Sequence, residues 1–262
     1  MRIFWSSSWH EDTILIQTAG KPGEPPRSSR LALVLILAIT TSCGLLPLTR
    51  FSRKGADVLE RAPKPPPIDS EFKGCGPGGS QPDYALNLRK NRIDTAATYV
   101  AVPFQVIARL PWPRQAALRF RNQWARGERS DVARYEGAPV QLAGYMMSFK
   151  LEIPEPPNCY SGDADNKDYH IWLTLRPHEN RKRSVVVEIT PRVRVFHPGW
   201  TEATLRTLVD SQIPVRVSGW LMLDQMHPEQ VNQHRITLWE VHPITRIERQ
   251  RSDSSWATLD SL

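Results

Sequence analysis

Residues 168–192, DYHIWLTLRPHENRKRSVVVEITPR, carry the clearest structural pattern in the chain. Apolar residues alternate along its first arm, residues 171–175, and a valine-rich second arm follows at residues 184–190. Residues 177–183 between the arms are polar and begin with a proline, which is typical of a turn. Alternation interrupted by such a turn predicts a β-hairpin.

The same pattern predicts which side chains share a face. A register in which Trp172 faces Glu188 and His170 faces Thr190 places the odd-numbered, apolar residues on a core face. A slip by one residue would mix apolar and polar side chains on both faces. The opposite, largely polar face then carries Asp168, His170, Trp172, Thr174, Val186, Glu188, Thr190 and Arg192.

Composition narrows the classes of function. The chain has 262 residues, 23 prolines and a formal net charge of +7. Residues 101–262 hold 21 Lys/Arg against 18 Asp/Glu, so this part is close to neutral. Dedicated nucleic-acid-binding domains are usually far more basic. Nucleic acid is therefore a compatible partner but not the favoured one.

The N-terminal region predicts export. Residues 1–30 have no sustained apolar period and are interpreted as a disordered leader or as a start codon placed too far upstream. Residues 31–43, LALVLILAITTSC, follow two arginines and combine an apolar run with small residues before Cys43. Residues 40–44, TTSCG, resemble the lipobox of bacterial lipoproteins, with Thr40 where that family usually has leucine. The resemblance implies lipidation at Cys43.

The alternative for this region is a transmembrane anchor over residues 31–48, which is short for a span of about 20 residues. Either interpretation makes the membrane a partner, through a lipid or a helix. Either also places the rest of the chain at the cell envelope, outside the cytoplasm. Composition predicts a Pro/Gly-rich tether over residues 44–92.

The remaining residues predict one folded domain with flanking segments. Residues 93–136 are predicted to lead into the domain and are called the approach segment. They are predicted to contain an extended stretch at 99–107 and a helix at 114–126. We predict a mainly β fold whose elements follow in the order strand, strand, strand, helix, strand, strand. This is the order of the OB-fold, a partly open five-stranded barrel. The domain is predicted at 137–250, with strands at 139–151, 213–223 and 234–247, a helix at 200–209, and a disordered tail at 251–262.

Two pairs of signatures resemble OB-like bacterial families whose function is uncharacterised. The first pair is Asp168-x-His170-x-x-Leu173 on the second strand and Glu188-x-x-Pro191 on the third. The second is GWLMLDQMHP at residues 219–228 with TLWEVHP at residues 237–243, preceded by Arg235. The resemblance covers about residues 138–248. It implies the fold and implies that these polar positions matter together.

The hairpin's polar face is the candidate site, because strands two and three form the ligand-facing surface of OB-folds. Trp172 is expected to stack on a ring of the ligand, with Arg192 and Thr190 as further binding residues. Asp168, His170 and Glu188 are candidates both for catalysis and for divalent-metal ligation. The alternative is cross-strand ion pairing without a ligand, for instance of Asp168 or Glu188 with Arg192.

Other residues offer weaker signals. Residues 163–168 are rich in oxygen ligands but lack the glycine and closing glutamate of an EF-hand loop, so we expect a solvated turn. The histidines His197, His227, His234 and His242 are interpreted as loop residues. If Cys43 is acylated, Cys75 and Cys159 remain either as a disulfide or as two free thiols.

Two classes of function follow. The first is an exported, lipid-anchored OB-fold module that binds a saccharide, an oligonucleotide or a protein segment. The second is a metal-dependent hydrolase, because Asp168, Glu188 and Arg192 supply residue types that staphylococcal-type thermonuclease uses. That family's ordered motif is absent, as are the GxSxG, P-loop and GxGxxG motifs. The sequence leaves open whether the chain is an enzyme, and it indicates no cofactor beyond a divalent metal.

Overall fold

The structure, a computed structural model, describes residues 55–80, 83–117 and 120–261. The predicted leader, export signal and lipidation site at Cys43 lie outside the described residues. Within those ranges, no helix combines the length and the apolar character that a bilayer span needs.

The described residues form seven strands and five numbered α-helices. A further helical stretch at residues 55–61 precedes them. In chain order the elements are α1 (Tyr84–Lys90), β1 (Val100–Ala101), α2 (Phe104–Arg109), α3 (Arg126–Ala133), β2 (Pro139–Leu151), β3 (Tyr169–Thr174), β4 (Val185–Ile189), α4 (Pro191–Arg194), α5 (Glu202–Ser211), β5 (Val215–Leu223), β6 (Trp239–Gln250) and β7 (Trp256–Thr258).

Five of the strands close into a barrel. The order is β2-β3-β4-β6-β5, and β5 pairs back onto β2. β4 and β6 run parallel, while the other barrel pairs are antiparallel. With α5 between β4 and β5, this is the OB-fold order, and the predicted fold class is confirmed.

Strand β2 begins and ends as predicted, and it pairs with two different strands along its length. Residues Pro139–Gly144 pair with β5, whereas Tyr145–Leu151 pair with β3. Gly144 stands at the change of partner, where a Cβ would lie 2.4 Å from the Thr174 carbonyl oxygen. Only glycine allows β2 to bend this closely against β3.

The hairpin has the predicted faces but a different register. His170 pairs with Glu188 and Trp172 with Val186, a shift of two residues from the predicted pairing. A shift of two preserves the alternation, so Ile171 remains on the core face, where it is fully buried. The strand stops at Ile189 because Thr190 leaves it to cap α4.

Helix α5 packs against β2 through one apolar side. Thr201 caps its N-terminus by accepting a hydrogen bond from the backbone of Thr204, which typically stabilises a helix by about 1 kcal/mol. Leu205 and Leu208 are buried. The predicted helix at 200–209 is therefore present, displaced by two residues.

The approach segment is less regular than predicted. Only Val100–Ala101 is a strand, parallel to β2, and α2 begins directly after Pro103. The predicted helix at 114–126 is wrong. Two 3-10 turns, Arg114–Ala117 and Arg121–Gln123, replace it because the Arg121 guanidinium turns towards the buried Glu136, at 2.6 and 2.7 Å.

The predicted disordered tail is also wrong within residues 251–261. Trp256–Thr258 form β7, which extends the sheet alongside β6. Leu259 follows with 1% of its surface exposed. Burial of this leucine and the added strand hydrogen bonds offset the cost of ordering the segment.

The described part of the predicted tether is packed onto the barrel. Leu59 is fully buried, and the amide of Asn91 donates to the carbonyl oxygens of Pro77 and Pro157 at 2.8 Å. Side-chain bonds to backbone oxygens fix this segment although its apolar content is low. Residues 70–80 and 83–92 are called the covering segment below.

Candidate functional site

A cavity of about 270 Å³ opens between the covering segment and the polar face of the hairpin. Its walls are the loop joining β2 to β3 and the loop joining β5 to β6, as expected for the ligand-facing side of an OB-fold. Helix α1 closes a further side. The charged groups that line it include Lys90, Glu152, Glu155, His170, Glu188 and Asp224.

His170 lies between two carboxylates. Its Nδ1 is 2.8 Å from Glu152 Oε1 and 3.1 Å from Glu188 Oε1. Lys150 also contacts Glu152, at 2.8 Å. Burial by itself would lower the pKa of His170, but hydrogen bonds to the two glutamates raise it to about 9. The imidazole is therefore cationic at neutral pH.

Glu188 also contacts a second histidine, His242, which lies in β6 and is fully buried. Glu188 Oε2 is 2.9 Å from His242 Nδ1, and Glu240 Oε1 lies 3.5 Å from the same nitrogen. Although burial opposes ionisation of Glu188, the charges of His242 and His170 hold the pKa of this carboxyl well below its usual range. The prediction that His242 is a loop residue is wrong.

Asp168 approaches the opposite nitrogen of that ring. Asp168 Oδ2 is 3.6 Å from His242 Nε2, and Asp168 Oδ1 accepts a hydrogen bond of 2.8 Å from Asn158. Burial, together with the nearby charge of Glu188, raises the pKa of Asp168 to about 6 although His242 favours the ionised form. The predicted pair of Asp168 or Glu188 with Arg192 does not form.

A buried ion-pair chain continues behind this group. Arg235 is fully buried and donates to Asp224 at 2.5 Å and to Glu240 at 3.2 Å. Lys90 of the covering segment lies 3.2 Å from Glu240. His227, half-buried, is 2.9 Å from Asp224. The ionisable residues of all the sequence signatures therefore meet in one network.

Carboxylates dominate the pocket. Glu155 faces Glu188 and Asp168, and burial together with these negative charges raises the pKa of Glu155 to about 8. The sequence did not single out Glu152 and Glu155. The signal that could have identified them is that both acidic residues lie close to prolines in the loop that OB-folds use as a pocket wall. Lys90 carried no signal, because nothing local indicates that α1 folds back onto the barrel.

Three predicted binding residues do not line the pocket. Trp172 is 5% exposed, and the Arg181 guanidinium lies 4.6 Å from the centre of its ring. Thr190 caps α4 by accepting from the backbone of Val193. Arg192 donates to backbone oxygens of the covering segment, at Ser70, Cys75 and Gly76. All three side chains are engaged in packing or in hydrogen bonds within the chain, and their stacking and binding roles stay predictions.

The predicted metal ligands are only partly brought together. Asp168, Glu188 and His242 each offer one ligand atom, and these atoms lie within 4.8 Å of one another. All three residues are buried. His170 was predicted as a ligand, but it is not part of this group and instead holds Glu152 and Glu188.

A disulfide joins Cys75 of the covering segment to Cys159 of the β2–β3 loop, across 84 residues of chain. Of the two arrangements that the sequence allows for these cysteines, the structure has the bonded one. The bond fixes the covering segment to one wall of the pocket.

The oxygen-rich loop forms a solvated turn, as expected. Asp163 caps its 3-10 turn at Ala164–Asn166.

Comparisons with known proteins leave the family open. No family model matches the sequence, and no curated protein does. Among solved structures, the crystal structure of yeast Stn1 and Ten1 is similar over 60% of this chain, with 10% identity and a TM-score of 0.33. The chain spans 65% of that structure's length. The fold assignment depends on the strand order and not on this similarity.

Proposed function

We propose that the chain is an exported, lipid-anchored OB-fold binding module at the cell envelope, and that its pocket receives a small cationic group of a polar ligand. The observation that carries the proposal is the clustering of carboxylates in the cavity beside β3 and β4. Export is supported by the signal-like residues 27–43 and by the disulfide between Cys75 and Cys159, which suits an oxidising compartment.

The charge of the pocket selects against polyanions. Glu152, Glu188 and Asp224 line it as ionised carboxylates. Glu155 joins them above its pKa of about 8, while Lys90 and the protonated His170 offset part of this charge. Two like charges 4 Å apart repel by about 1 kcal/mol in water and by about 4 kcal/mol near a protein surface. A nucleic-acid phosphate beside the ionised carboxylates would be repelled, whereas an amine or guanidinium would be attracted to them.

The size of the pocket limits the ligand further. Its volume of about 270 Å³ lies just below the usual range of about 300–1,000 Å³ for small-molecule sites. Leu86, Phe120 and Met226 add apolar wall. The pocket therefore suits one basic side chain of a protein segment, or one amino-sugar ring, better than an extended oligosaccharide.

Calorimetry on the purified chain tests the proposal. We expect lysine amide, arginine amide or glucosamine to bind and a single-stranded oligonucleotide not to bind. At pH 9, above the pKa of about 8 of Glu155, Glu155→Gln removes one negative charge from the wall and is expected to weaken binding of arginine amide about tenfold, equivalent to 1.4 kcal/mol. Asp260→Asn, which changes an acid paired with His197 outside the pocket, serves as the matched control. Oligonucleotide binding that exceeds amine binding would contradict the proposal.

A second candidate function is a metal-dependent hydrolase. The observation that favours it is the position of Glu188 at the pocket, in contact with both His170 and His242. A carboxylate and an imidazole in contact supply the groups that general acid–base catalysis needs. Hydrolysis of a phosphodiester in the presence of divalent ions, abolished by Glu188→Gln, would establish this activity in place of simple binding.

A further inference from the structure

Several unsatisfied atoms of the network lie around His242. Among the described residues, Asp168 Oδ2 and both ring nitrogens of His242 make no hydrogen bond of acceptable geometry, although all are buried. Glu188 Oε2 is close to Nδ1, at 2.9 Å, but is not aligned with its N–H. Buried polar atoms in native proteins are nearly always hydrogen-bonded or bound to an ion or water. These atoms therefore need an explanation.

The other oxygens of the two carboxylates are already held. Asn158 donates to Asp168 Oδ1 at 2.8 Å, and His170 Nδ1 is 3.1 Å from Glu188 Oε1. Each carboxylate is thereby oriented with its second oxygen towards His242. Outer-shell hydrogen bonds of this kind commonly orient the ligands of metal ions.

We propose that Asp168, Glu188 and His242 form a binding site for a divalent transition-metal ion such as Zn²⁺, at the inner end of the pocket. Each residue supplies one ligand atom, and the three atoms lie within 4.8 Å of one another. Three protein ligands leave a position for water or for a group that enters through the pocket. The inference goes beyond the proposed function and stands independently of any cationic ligand.

The ligand set indicates the class of metal. Two carboxylate oxygens and one imidazole nitrogen suit Zn²⁺ and its neighbours in the transition series. Calcium takes six to eight oxygen ligands, which this group does not offer. Charge also favours a dication, because Asp168 and Glu188 together supply two carboxylates.

The competing arrangement contains no metal. A protonated His242 would bridge Asp168, Glu188 and Glu240 by charge alone, which also accounts for the short contact with Glu188. The two arrangements make opposite predictions for zinc binding, so one titration separates them.

The test uses the untagged full chain, stripped of metal with a chelator and titrated with zinc chloride in a calorimeter. We expect one zinc ion per chain, a raised unfolding temperature with zinc, and no comparable effect of calcium. His242→Gln and Asp168→Asn keep side-chain size and are each expected to lower zinc affinity at least about tenfold. His197→Gln removes a histidine paired with Asp260 at 2.9 Å and should leave zinc affinity unchanged.

A second measurement does not depend on whether the buried variants fold. X-ray absorption of the zinc-loaded, unmodified chain should show a first shell of nitrogen and oxygen only, at about 2.0–2.2 Å, with scattering from one imidazole. Absence of zinc binding, a sulfur-containing shell, or an affinity that falls with His197→Gln but not with a folded His242→Gln would overturn the proposal. Binding of amines to the Glu155 wall is measured separately, so either proposal can fail alone.

Discussion

His170 and Glu188 face each other across the β3–β4 hairpin, with His170 Nδ1 3.1 Å from Glu188 Oε1. Both residues are 5% exposed, so the polar face of the hairpin is not an open surface. The covering segment and the β2–β3 loop enclose it and leave a small acidic pocket. This arrangement accounts for the concentration of charged residues in the sequence signatures.

Trp172→Ala is expected to lower stability and not ligand affinity. The side chain is buried and lies beneath Arg181, outside the pocket. Removing a buried tryptophan typically costs about 3–5 kcal/mol. Urea unfolding should show a loss of that order, while calorimetry of the folded variant should give an affinity for amines within about twofold of the unmodified chain. A large affinity loss in a stable variant would support the stacking role.

Opening the Cys75–Cys159 disulfide is expected to free the covering segment. Cross-links over long loops usually contribute about 2–4 kcal/mol. The double variant Cys75→Ser, Cys159→Ser should unfold at lower urea concentration, and hydrogen exchange should accelerate mainly in residues 70–80. Uniform acceleration across the barrel strands would show that the bond supports the whole domain instead.

Gly144→Ala is expected to disturb the change of partner in β2. Its added Cβ would meet the Thr174 carbonyl oxygen, a backbone atom that cannot move aside cheaply. Overpacking of this kind typically costs about 1–3 kcal/mol. Gly127→Ala is the matched control, because nothing lies within 4 Å of that Cβ in α3, and alanine there should be neutral or stabilising. Equal effects of the two substitutions in thermal unfolding would contradict the account.

Much of the barrel could be predicted because apolar alternation reports burial directly. Strand β2 and the faces of the hairpin follow from it, and the register error of two residues left the side chains of the two strands on their predicted faces. The strand ends depended on Thr190, whose capping role the alternation does not show. Lys90, Glu152 and the covering segment could not be placed, because hydrogen bonds between distant side chains and backbone oxygens have no sequence period. The acidic pocket is built mainly from such contacts.

Acid is expected to weaken the attachment of the approach segment through Glu136. Burial alone would raise the pKa of this carboxyl, but Arg121 and Arg89 lower it below 4.5. A lowered pKa in the folded state means that the contribution is complete above pH 4.5 and is lost as pH falls through the folded-state value. Urea unfolding at pH 7 and at pH 3 should show a smaller pH dependence for Glu136→Gln than for the unmodified chain. An unchanged pH dependence would exclude this role.

The pocket beside β3 and β4 is proposed to bind cations and to exclude polyanions. Side-chain ¹H–¹⁵N NMR of the histidine rings tests it most directly, because His170 and His227 line the pocket whereas His197 is paired with Asp260 elsewhere. Titration with lysine amide should shift the His170 and His227 signals and leave His197 in place, and an oligonucleotide should shift none of the three. Shifts of His170 and His227 with the oligonucleotide but not with lysine amide would contradict the account.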